Sequence, residues 1–373
     1  MIRKGIGMHM RSLIWKFSGI AVLLFVTVLR GDAQLPESRM YETVKVGEGI
    51  YALIQPESNS QLVSGNSVVV IGDGGVLVVD TGNFPTLAKR MVAQVRQLTE
   101  KPVRYIVHTH WHPDHVDGDG EFVDAFPGLT LISTGFTRQE IIEQTPKYVR
   151  GLAERGPAYL EKLQKSLQEG KGTSGEPLTE EERASTIELI DDMKVAIPEY
   201  RQAKSVIPNL TFEQNLTLFL GKREVRVMFL GRGNTAGDAV VYLPDSKVVV
   251  TGDLVVYPTP YSFGSYPGEW IETLQKLMKI DANAIVPGHG PVMHDWEYAK
   301  MVASLIESVR RQAQAAVKQG FSLEETRKHV DLEGFRKRFA GENPGRSRAF
   351  HSGFEVPAVE RCYQEAKGAY APE

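Results

Sequence analysis

Three observations predict that the sequence folds as an α/β domain with a helical insertion and C-terminal helices. Short apolar runs bounded by turn residues are followed by a helical pattern and another short apolar run, and this order occurs twice along the chain. A charged segment with helical spacing separates the two halves. The chain has 373 residues, 42% hydrophobic and 24% charged, which is the composition of a globular protein that can build a large core.

The N-terminal segment, residues 1–33, has the pattern of a secretory signal. Four basic and no acidic residues lie within its first 18 positions, and an uncharged apolar run follows from Gly19 to Leu29. This run is too short to span a bilayer comfortably. We therefore expect cleavage near Ala33, a mature chain starting near Gln34, and a periplasmic or secreted location without a stable membrane partner. An uncleaved N-terminal anchor is the alternative.

Residues 34–296 are predicted to form one domain. Its first half has the pattern of β-hairpins followed by a helix and a strand. Leu87, Met91, Val95 and Leu98 are spaced to share one face of a helix. The strand runs are rich in Val and Ile and are bounded by turn residues. The predicted elements are strands Thr43–Val46, Ile50–Ile54, Ser67–Ile71 and Val76–Val79, helix Phe84–Leu98 and strand Val103–Val107.

Residues 136–208 have the pattern of a helical insertion on the surface of this domain. The segment is rich in Glu, Lys and Arg, and its apolar residues recur at helical spacing. Thr179 and Glu182 form a capping-box pattern that starts a helix, and Pro177 and Pro198 punctuate the segment. Because its charges are mixed in sign, a solvated cover is favoured over a specific docking surface.

In the second half, hairpin strands again precede a helix and a short strand, without a residue-level repeat. Residues 297–373 are predicted to form C-terminal helices, because apolar residues before Gly320 recur on one helix face and Ser322 with Glu325 can cap a further helix. The predicted elements are strands Leu216–Leu220, Val225–Leu230, Ala239–Leu243, Val248–Val250 and Ala284–Val286, with a helix at about 268–279.

The net charge and the cysteine count exclude several kinds of site. The formal net charge is −3, so the sequence gives no sign of the basic surface that dominates nucleic-acid affinity, and we expect a small-molecule substrate instead. Cys362 is the single cysteine, which excludes an intrachain disulfide, a Cys-rich zinc module and a Cys-ligated iron–sulfur cluster. Any metal ion must be held by His, Asp, Glu or Asn.

A histidine cluster lies between His108 and His115, where four histidines and an aspartate occupy eight residues. His110 and His112 are two positions apart, so in extended backbone both side chains point to one side and can share one ion. The proline that follows disfavours helix, after which Asp114 and the last histidine can face a second ion. Imidazole and carboxylate without thiolate suit zinc, with iron and manganese as alternatives.

The motif His110-x-His112-x-Asp114-His115 resembles the signature of the metallo-β-lactamase superfamily. The resemblance spans about Tyr41 to Trp296 and implies an αββα sandwich with metal ions at the edge between two β-sheets. It does not specify a substrate, because the family includes β-lactamases, thioester and lactone hydrolases, and nucleases. Further segments resemble other sequence motifs of this family and occur along the chain in the same order as in the family. They are Asp80 at a strand end, Gly231–Asp238, Thr251-Gly252-Asp253 and Pro287-Gly288-His289-Gly290.

The resemblance also implies a set of metal ligands. These are His110 and His112 for the first ion, Asp114, His115 and His289 for the second, and Asp253 as the bridge between them. Asn234 departs from the family, which most often has histidine at this position. An amide oxygen is a poorer zinc ligand than an imidazole nitrogen, so we expect one or two zinc ions, with the second site more secure than the first.

The implied chemistry is hydrolysis by a metal-bound hydroxide. A metal ion lowers the pKa of bound water towards neutrality. Asp114 is expected to orient that water and pass its proton to the leaving group, and Asn234 to orient a water or hydrogen-bond a substrate oxygen. We therefore predict an exported zinc hydrolase that opens an amide, lactam, lactone or (thio)ester bond, with a β-lactam as one candidate substrate.

Other residues near the motifs have supporting or open roles. Asp80 is expected to hold the ligand loop through hydrogen bonds instead of contacting metal. His108 either supports a ligand or is a packed core histidine. The aromatic loop Tyr257–Tyr266 either forms an apolar wall for the substrate or is held on the core by its rings. Arg232 is either an anion clamp or a solvated side chain.

An alternative function is a metal-binding accessory protein of a periplasmic pathway with little turnover. Asn234 favours this alternative, whereas the complete second site argues against it. An iron-dependent persulfide dioxygenase normally needs the histidine that Asn234 replaces. A nuclease is disfavoured by the slight acidity of the chain and by the lack of an obvious nucleic-acid-binding addition.

Overall fold

The computed structural model describes residues 40–57, 64–172, 175–200, 204 and 206–369. The chain divides into two units, Met1–Ala33 and Gln34–Glu373. The predicted signal segment and its cleavage near Ala33 fall outside the described residues and stay predictions. Within the described ranges, no helix is both long enough and apolar enough to cross a membrane.

A mixed sheet of seven strands forms the first half of the molecule. Its strands are β1 Glu42–Gly47, β2 Ile50–Ile54, β3 Ser67–Gly72, β4 Gly75–Val79, β5 Val103–Val107, β6 Thr130–Thr134 and β7 Leu210–Phe212, and they lie in this order across the sheet. Strands β1 to β4 pair antiparallel as hairpins, and β4 to β7 pair parallel. The parallel strands therefore end at one edge, as expected after helical crossovers.

A second sheet of five strands forms the other half. Its strands are β8 Asn215–Leu220, β9 Arg223–Phe229, β10 Ala239–Leu243, β11 Val248–Val256 and β12 Ala284–His289. The order across the sheet is β12-β11-β10-β9-β8, and only β11 and β12 pair parallel. The β11–β12 register is irregular between Val250 and Val256.

Twelve α-helices and one π-helix are present in the described part of the chain. They are α1 Pro85–Leu98, α2 Pro113–Val116, α3 Asp119–Ala125, α4 Gly135–Glu143, α5 Thr145–Glu169, α6 Glu180–Tyr200, α7 Pro267–Leu277, α8 Glu297–Lys318, α9 Leu323–His329, α10 Glu333–Ala340, α11 Pro344–Ala349, the π-helix Phe350–Glu355 and α12 Val356–Ala366. Both predicted capping boxes form, Thr179 with Glu182 and Ser322 with Glu325.

The two sheets pack face to face with helices on both outer sides. Val68 and Val79 of the first sheet share one buried cluster with Val227 and Val250 of the second. Helices α1 and α6 cover the outer face of the first sheet, and α7, α8 and the C-terminal helices cover that of the second. Burying one such aliphatic side chain stabilises the fold by about 1.5–3 kcal/mol. The predicted αββα sandwich is confirmed.

The C-terminal helices are part of this outer layer. Phe350, Phe354 and Cys362 are fully buried and lie in the same cluster as Val302 of α8 and Trp270 of α7. The extension therefore packs on its own domain.

Several sequence expectations differ from the structure. Pro113, expected to disfavour helix after the histidines, stands at the start of α2, and β11 continues past its predicted end at Val250 to Val256. Pro198 was expected to punctuate the insertion, but it lies inside α6, which continues to Tyr200. Pro198 lacks the backbone N–H that would donate to the carbonyl oxygen of Lys194, and α6 ends two residues later at Tyr200.

Candidate metal centre

The predicted ligands lie where strand ends of the two sheets meet at one edge of the sandwich. The histidine cluster follows β5, and Asp80 follows the neighbouring parallel strand β4. Asp253 lies within β11, and His289 is the last residue of its parallel neighbour β12. Because the carboxyl ends of parallel strands meet at one edge of a sheet, residues far apart in sequence converge there.

The structure brings six residues together as two possible metal-binding groups. Within each group, one donor atom of each residue lies within 4.8 Å of the others. The groups are His110, His112 and Asp253, and Asp114, His115 and His289. Carboxylate and imidazole donors in groups of three suit zinc and other divalent transition metals.

Asp253 lies between the two groups. Its Oδ2 is 3.6 Å from Nε2 of His110, while its Oδ1 is 3.3 Å from Nε2 of His115 and 3.6 Å from Nε2 of His289. The side chain is only 2% exposed, and its Oδ1 has no hydrogen-bond partner. A buried carboxylate oxygen without a partner is costly unless a cation compensates it, so this orphaned atom fits a bound metal.

The remaining donor atoms are also closely spaced. Nε2 of His289 lies 3.1 Å from Oδ2 of Asp114 and 3.3 Å from Nε2 of His115. Nε2 of His110 lies 2.9 Å from Nδ1 of His112. These short distances between donor atoms are compatible with a cation shared by each group of three.

The electrostatics of the site set the protonation of several donors. Burial lowers the pKa of His110 well below its usual value, and the neighbouring His115 and His112 lower it further. Burial raises the pKa of Asp114, but His115 and His289 outweigh this effect and hold it below its usual value. Neutral imidazole and ionised carboxylate are the forms that bind metal ions.

Asp80 belongs to neither metal-binding group, but it holds the predicted ligands through hydrogen bonds. Its Oδ2 accepts a hydrogen bond of 2.8 Å from Nδ1 of His115, and its Oδ1 accepts one of 2.8 Å from the backbone N–H of Thr109. The Thr109 hydroxyl also donates to Asp80 over 2.7 Å and lies 3.0 Å from Nδ1 of His110. Bonding at Nδ1 directs Nε2 of His115 towards the metal site.

Two glycines allow the close packing around these side chains. A Cβ atom on Gly65 would lie 2.3 Å from Cε1 of His115, and one on Gly288 would lie 2.0 Å from Oδ1 of Asp253. The backbone N–H of Gly65 donates to the carbonyl oxygen of Asp114 over 2.8 Å. Any larger side chain at these positions would displace a predicted ligand.

His108 takes part in a buried hydrogen-bond network with Asp119 and Thr81. Its Nε2 lies 3.0 Å from Oδ2 of Asp119, whose other oxygen accepts a hydrogen bond of 2.8 Å from the Thr81 hydroxyl. Burial lowers the pKa of His108, but Asp119 outweighs this effect and raises it. His108 therefore packs behind the loop as a paired histidine, outside both metal-binding groups.

Asn234 is buried in the loop between β9 and β10. Its Nδ2 donates a hydrogen bond of 2.9 Å to the carbonyl oxygen of Tyr261, and its own Oδ1 has no partner. A buried acceptor without a partner costs about 1–3 kcal/mol. The side-chain oxygen is therefore available to a water, a substrate or a cation.

The aromatic loop Tyr257–Tyr266 contacts both the metal ligands and the helical layer. The ring of Tyr261 lies edge-on to His289, with ring centroids 6.0 Å apart. The loop is also tied to the C-terminal π-helix, because the backbone N–H of Ser262 donates to the carbonyl oxygen of Gly353 over 2.9 Å. Both expected roles are therefore compatible with its position.

Arg232 does not offer a free positive charge. Its guanidinium group pairs with the carboxylate of Glu269, at 2.9 Å for Nε, and lies 4.1 Å from the ring centroid of Tyr266. The charge is already compensated, so the structure does not favour an anion clamp at this position.

Sequence reasoning missed three supporting residues: Thr109, Asp119 and Gly65. Thr109 stands inside the histidine cluster, and a hydroxyl between two strand-end histidines was the available signal. Asp119 follows the cluster closely but carries no motif of its own. Nothing in the sequence around Gly65 indicates that it packs against His115.

Comparisons with known proteins agree with this geometry. A family model described as "Metallo-beta-lactamase superfamily" matches residues 61–289. A "Linear primary-alkylsulfatase" from Pseudomonas sp. is 26% identical over 234 residues, which is 58% of this chain and 39% of that protein. A "Metallo-beta-lactamase type 2" from Bacillus sp. is 23% identical over 240 residues, which is 63% of this chain and 70% of that protein.

A solved structure also shares the fold. The structure of a double mutant of the sec-alkyl sulfatase PisA1 matches with a TM-score of 0.58 at 15% sequence identity. The match covers 87% of this chain and 50% of the sulfatase chain. The chain thus spans about half of that structure and well under half of the curated alkylsulfatase.

Proposed function

Because this chain belongs to the metallo-beta-lactamase superfamily, we propose that it is a hydrolase that uses bound zinc to open an amide, lactam, lactone or (thio)ester bond in a small molecule. The observation that carries the proposal is the pair of donor groups joined by the buried carboxylate of Asp253, whose Oδ1 has no hydrogen-bond partner. A bound divalent ion lowers the pKa of a water molecule towards neutrality and polarises the bond under attack.

The two site carboxylates have different surroundings, which supports different roles. The Asp114 side chain is 20% exposed, whereas that of Asp253 is 2% exposed. Asp114 therefore reaches the cleft, where it accepts the proton of the attacking water and passes it to the leaving group. Asp253 instead joins the two groups.

Asn234 is the second residue to which we assign a role in catalysis. Its Nδ2 is already bonded to the carbonyl oxygen of Tyr261, so its free Oδ1 is the atom left to act. That oxygen accepts a hydrogen bond from the attacking water or from a substrate N–H or O–H group. In this role Asn234 orients a reactant and bears no charge.

The two kinds of named relative suggest which bonds to test. One relative is an alkylsulfatase and another is a β-lactamase, and both names describe transfer of a group to water. A substrate panel for the zinc-loaded protein should therefore contain a primary alkyl sulfate, a β-lactam, a lactone and a thioester. We expect turnover of at least one of these bonds.

The proposed mechanism is tested with Asp114→Asn on whichever substrate responds. Loss of the proton-accepting carboxylate should lower kcat by about 100-fold or more. The matched control is His294→Ala, because His294 is an exposed histidine outside both groups whose Nδ1 lies 2.9 Å from the carbonyl oxygen of Asn283. A folded Asp114→Asn variant with unchanged turnover would contradict the role of Asp114. A folded wild-type protein that binds metal but turns over no substrate of the panel would favour the metal-binding accessory-protein alternative, and one that binds no metal would contradict both.

Export is a further part of the proposal. It rests on the basic, then apolar, N-terminal pattern of residues 1–33. Cell fractionation and N-terminal sequencing should find the mature chain outside the cytoplasm, starting near Gln34. A membrane-bound chain that retains Met1 would indicate an uncleaved anchor instead.

A further inference from the structure

We propose that the stacked rings of Tyr261 and Phe263 form a subsite that binds the apolar, preferably aromatic, part of the substrate beside the metal ligands. This inference rests on the proposed hydrolase function and goes beyond it, because it specifies the substrate group that does not react. The pair is called the aromatic subsite below.

The first support is the position of the rings. Tyr261 and Phe263 lie nearly parallel, with an interplanar angle of 19° and ring centroids 6.2 Å apart. The Tyr261 ring in turn lies edge-on to the imidazole of His289, at 6.0 Å and 85°. The three rings form a continuous path from a predicted metal ligand outwards, so a substrate held at His289 can reach the aromatic subsite.

The second support is exposure. Phe263 is 62% exposed although it is a large apolar side chain, and its stacked partner Tyr261 separates it from the predicted ligand. A single exposed apolar residue needs no explanation by itself. An exposed ring that continues a ring stack from a candidate active site offers a free aromatic face beside that site. Aromatic rings pack favourably against such a face at centroid distances of about 4.5–7 Å.

The third support is that the subsite is fixed in place. The carbonyl oxygen of Tyr261 accepts the hydrogen bond from Asn234, and the hydroxyl groups of Ser262 and Ser265 are hydrogen-bonded to each other at 2.5 Å. The backbone N–H of Ser262 donates to the carbonyl oxygen of Gly353. A surface that is already ordered loses less conformational entropy when a ligand binds, and this favours binding.

The C-terminal π-helix acts as the positioning element. A Cβ atom on Gly353 would lie 2.8 Å from Cδ1 of Tyr261, so only glycine allows the helix to pack this closely against the ring. Gly353 is therefore a positioning residue that acts through Tyr261 and does not contact substrate.

The subsite is tested by binding, with acetate and phenylacetate as probes of the zinc-loaded protein. The two probes share a carboxylate and differ in a phenyl ring. In isothermal titration calorimetry, the wild-type protein should bind phenylacetate about tenfold more tightly than acetate. Phe263→Ala should remove most of that preference. Phe219→Ala is the matched control, because Phe219 is 66% exposed but lies on β8, and it should keep the wild-type preference.

Gly353→Ala tests the positioning role. The added methyl group should shift Tyr261 and reduce the preference for phenylacetate, with the melting temperature close to wild type. Gly334→Ala is its control, since a Cβ atom at Gly334 would meet nothing within 4 Å. A preserved preference in the folded Gly353→Ala variant would refute the positioning role of the π-helix.

The outcomes separate this inference from the proposed function. Equal affinity for both probes, no binding of either probe, or a preference that survives Phe263→Ala would overturn the subsite. If the preference behaves as expected but no substrate in the panel is turned over, the subsite stands as a binding site and the hydrolase proposal fails. Turnover without any aromatic preference would leave the hydrolase proposal intact and reject the subsite.

Discussion

At the scale of single residues, Asp80 holds the predicted metal ligands in place although it belongs to neither metal-binding group. It accepts the hydrogen bond from Nδ1 of His115 and ties the backbone of Thr109 to the same carboxylate. It does so from a left-handed backbone conformation, with φ of 57°, which aspartate and asparagine tolerate better than most residues. One carboxylate thus orients a predicted ligand and holds the loop that carries two others.

Asp80→Asn should weaken zinc binding about 10- to 100-fold, which is the usual effect of removing a carboxylate that orients a ligating histidine. Asparagine tolerates the same backbone conformation, so the fold should be retained. The measurement is a competition titration with a chromogenic zinc chelator. Asp191→Asn, at an exposed position of α6, serves as the control and should leave the affinity unchanged. Unaltered zinc affinity in folded Asp80→Asn would show that Asp80 does not act through His115.

Asn234→His should tighten the weaker of two zinc sites by about tenfold, equivalent to 1.4 kcal/mol, because imidazole is a better zinc ligand than an amide oxygen. Stepwise zinc titration of the metal-free protein measures both binding constants. Asn215→His, on the exposed side of β8, controls for adding a histidine to the surface. If both constants match the wild type in a folded Asn234→His protein, then Asn234 does not lie near an ion.

Single residues also show where sequence reasoning works and where it stops. His110, His112, Asp114 and His115 could be grouped from sequence because their spacing along one short segment already constrains where they point. The contact of Gly65 with His115 could not be predicted, because it depends on how two distant loops meet. The relative orientation of residues within one short segment is determined by that segment, whereas contacts between distant loops depend on the whole fold.

At the scale of elements, the sequence prediction missed the last two strands of the first sheet. β6 and β7 were not predicted, and β7 has only three residues. Such strands exist because β5 offers a free edge to pair with, which is tertiary information. β11 was predicted from the apolar run Val248–Val250. It continues to Val256, with Gly252 adopting φ of 52° within the strand.

The mixed charges of the helical insertion favoured a solvated cover, but one end of the insertion is part of the hydrophobic core. Tyr200 of α6 is 1% exposed and belongs to the core cluster on the outer face of the first sheet. Its hydroxyl donates to Oδ1 of Asn83 over 2.6 Å, and its ring packs edge-on against Phe84 at 6.1 Å. The end of α6 is therefore anchored in the domain, whereas Tyr159 of α5 is 42% exposed.

Tyr200→Ala should lower the free energy of unfolding by about 3–5 kcal/mol, the usual cost of removing a buried aromatic side chain. Urea denaturation followed by circular dichroism measures the change. Tyr159→Ala, the matched exposed tyrosine, should change it by no more than about 0.5 kcal/mol. Similar small effects of both substitutions would mean that α6 is not part of the stable domain.

At the scale of the whole molecule, the C-terminal helices complete the outer layer of the second sheet. Val302, Leu305 and Val309 of α8 share one buried cluster with Phe350 and Phe354. Exposing such a cluster leaves a large apolar patch, which leads to aggregation.

A chain that ends at Gly320 should therefore be insoluble or should melt well below the full-length protein. Solubility after expression and a thermal melt of any soluble fraction are the measurements, with the full-length chain prepared in parallel. A soluble chain of 1–320 with an unchanged melting temperature would show that the last helices are dispensable for folding.

The overall architecture was predictable because the order of elements and the motifs agree along most of the chain. The predicted hairpins, crossover helices and strand-end ligands are all consistent with one αββα sandwich. Which face the C-terminal helices cover was not predictable, because an amphipathic helix shows that it has a partner surface without identifying it.

Asp253 and His289 come from the second sheet, whereas the other predicted ligands follow strands of the first. An ion held between them therefore acts as a cross-link between the two halves of the sandwich, and only the folded chain can provide it. Ligand linkage would then make thermodynamic stability depend on the supply of that ion: each tenfold rise in its free concentration above the dissociation constant adds about 1.4 kcal/mol per site. In a compartment that is poor in that ion the chain would unfold more often and proteases would degrade it faster, so its abundance would follow the supply of the metal.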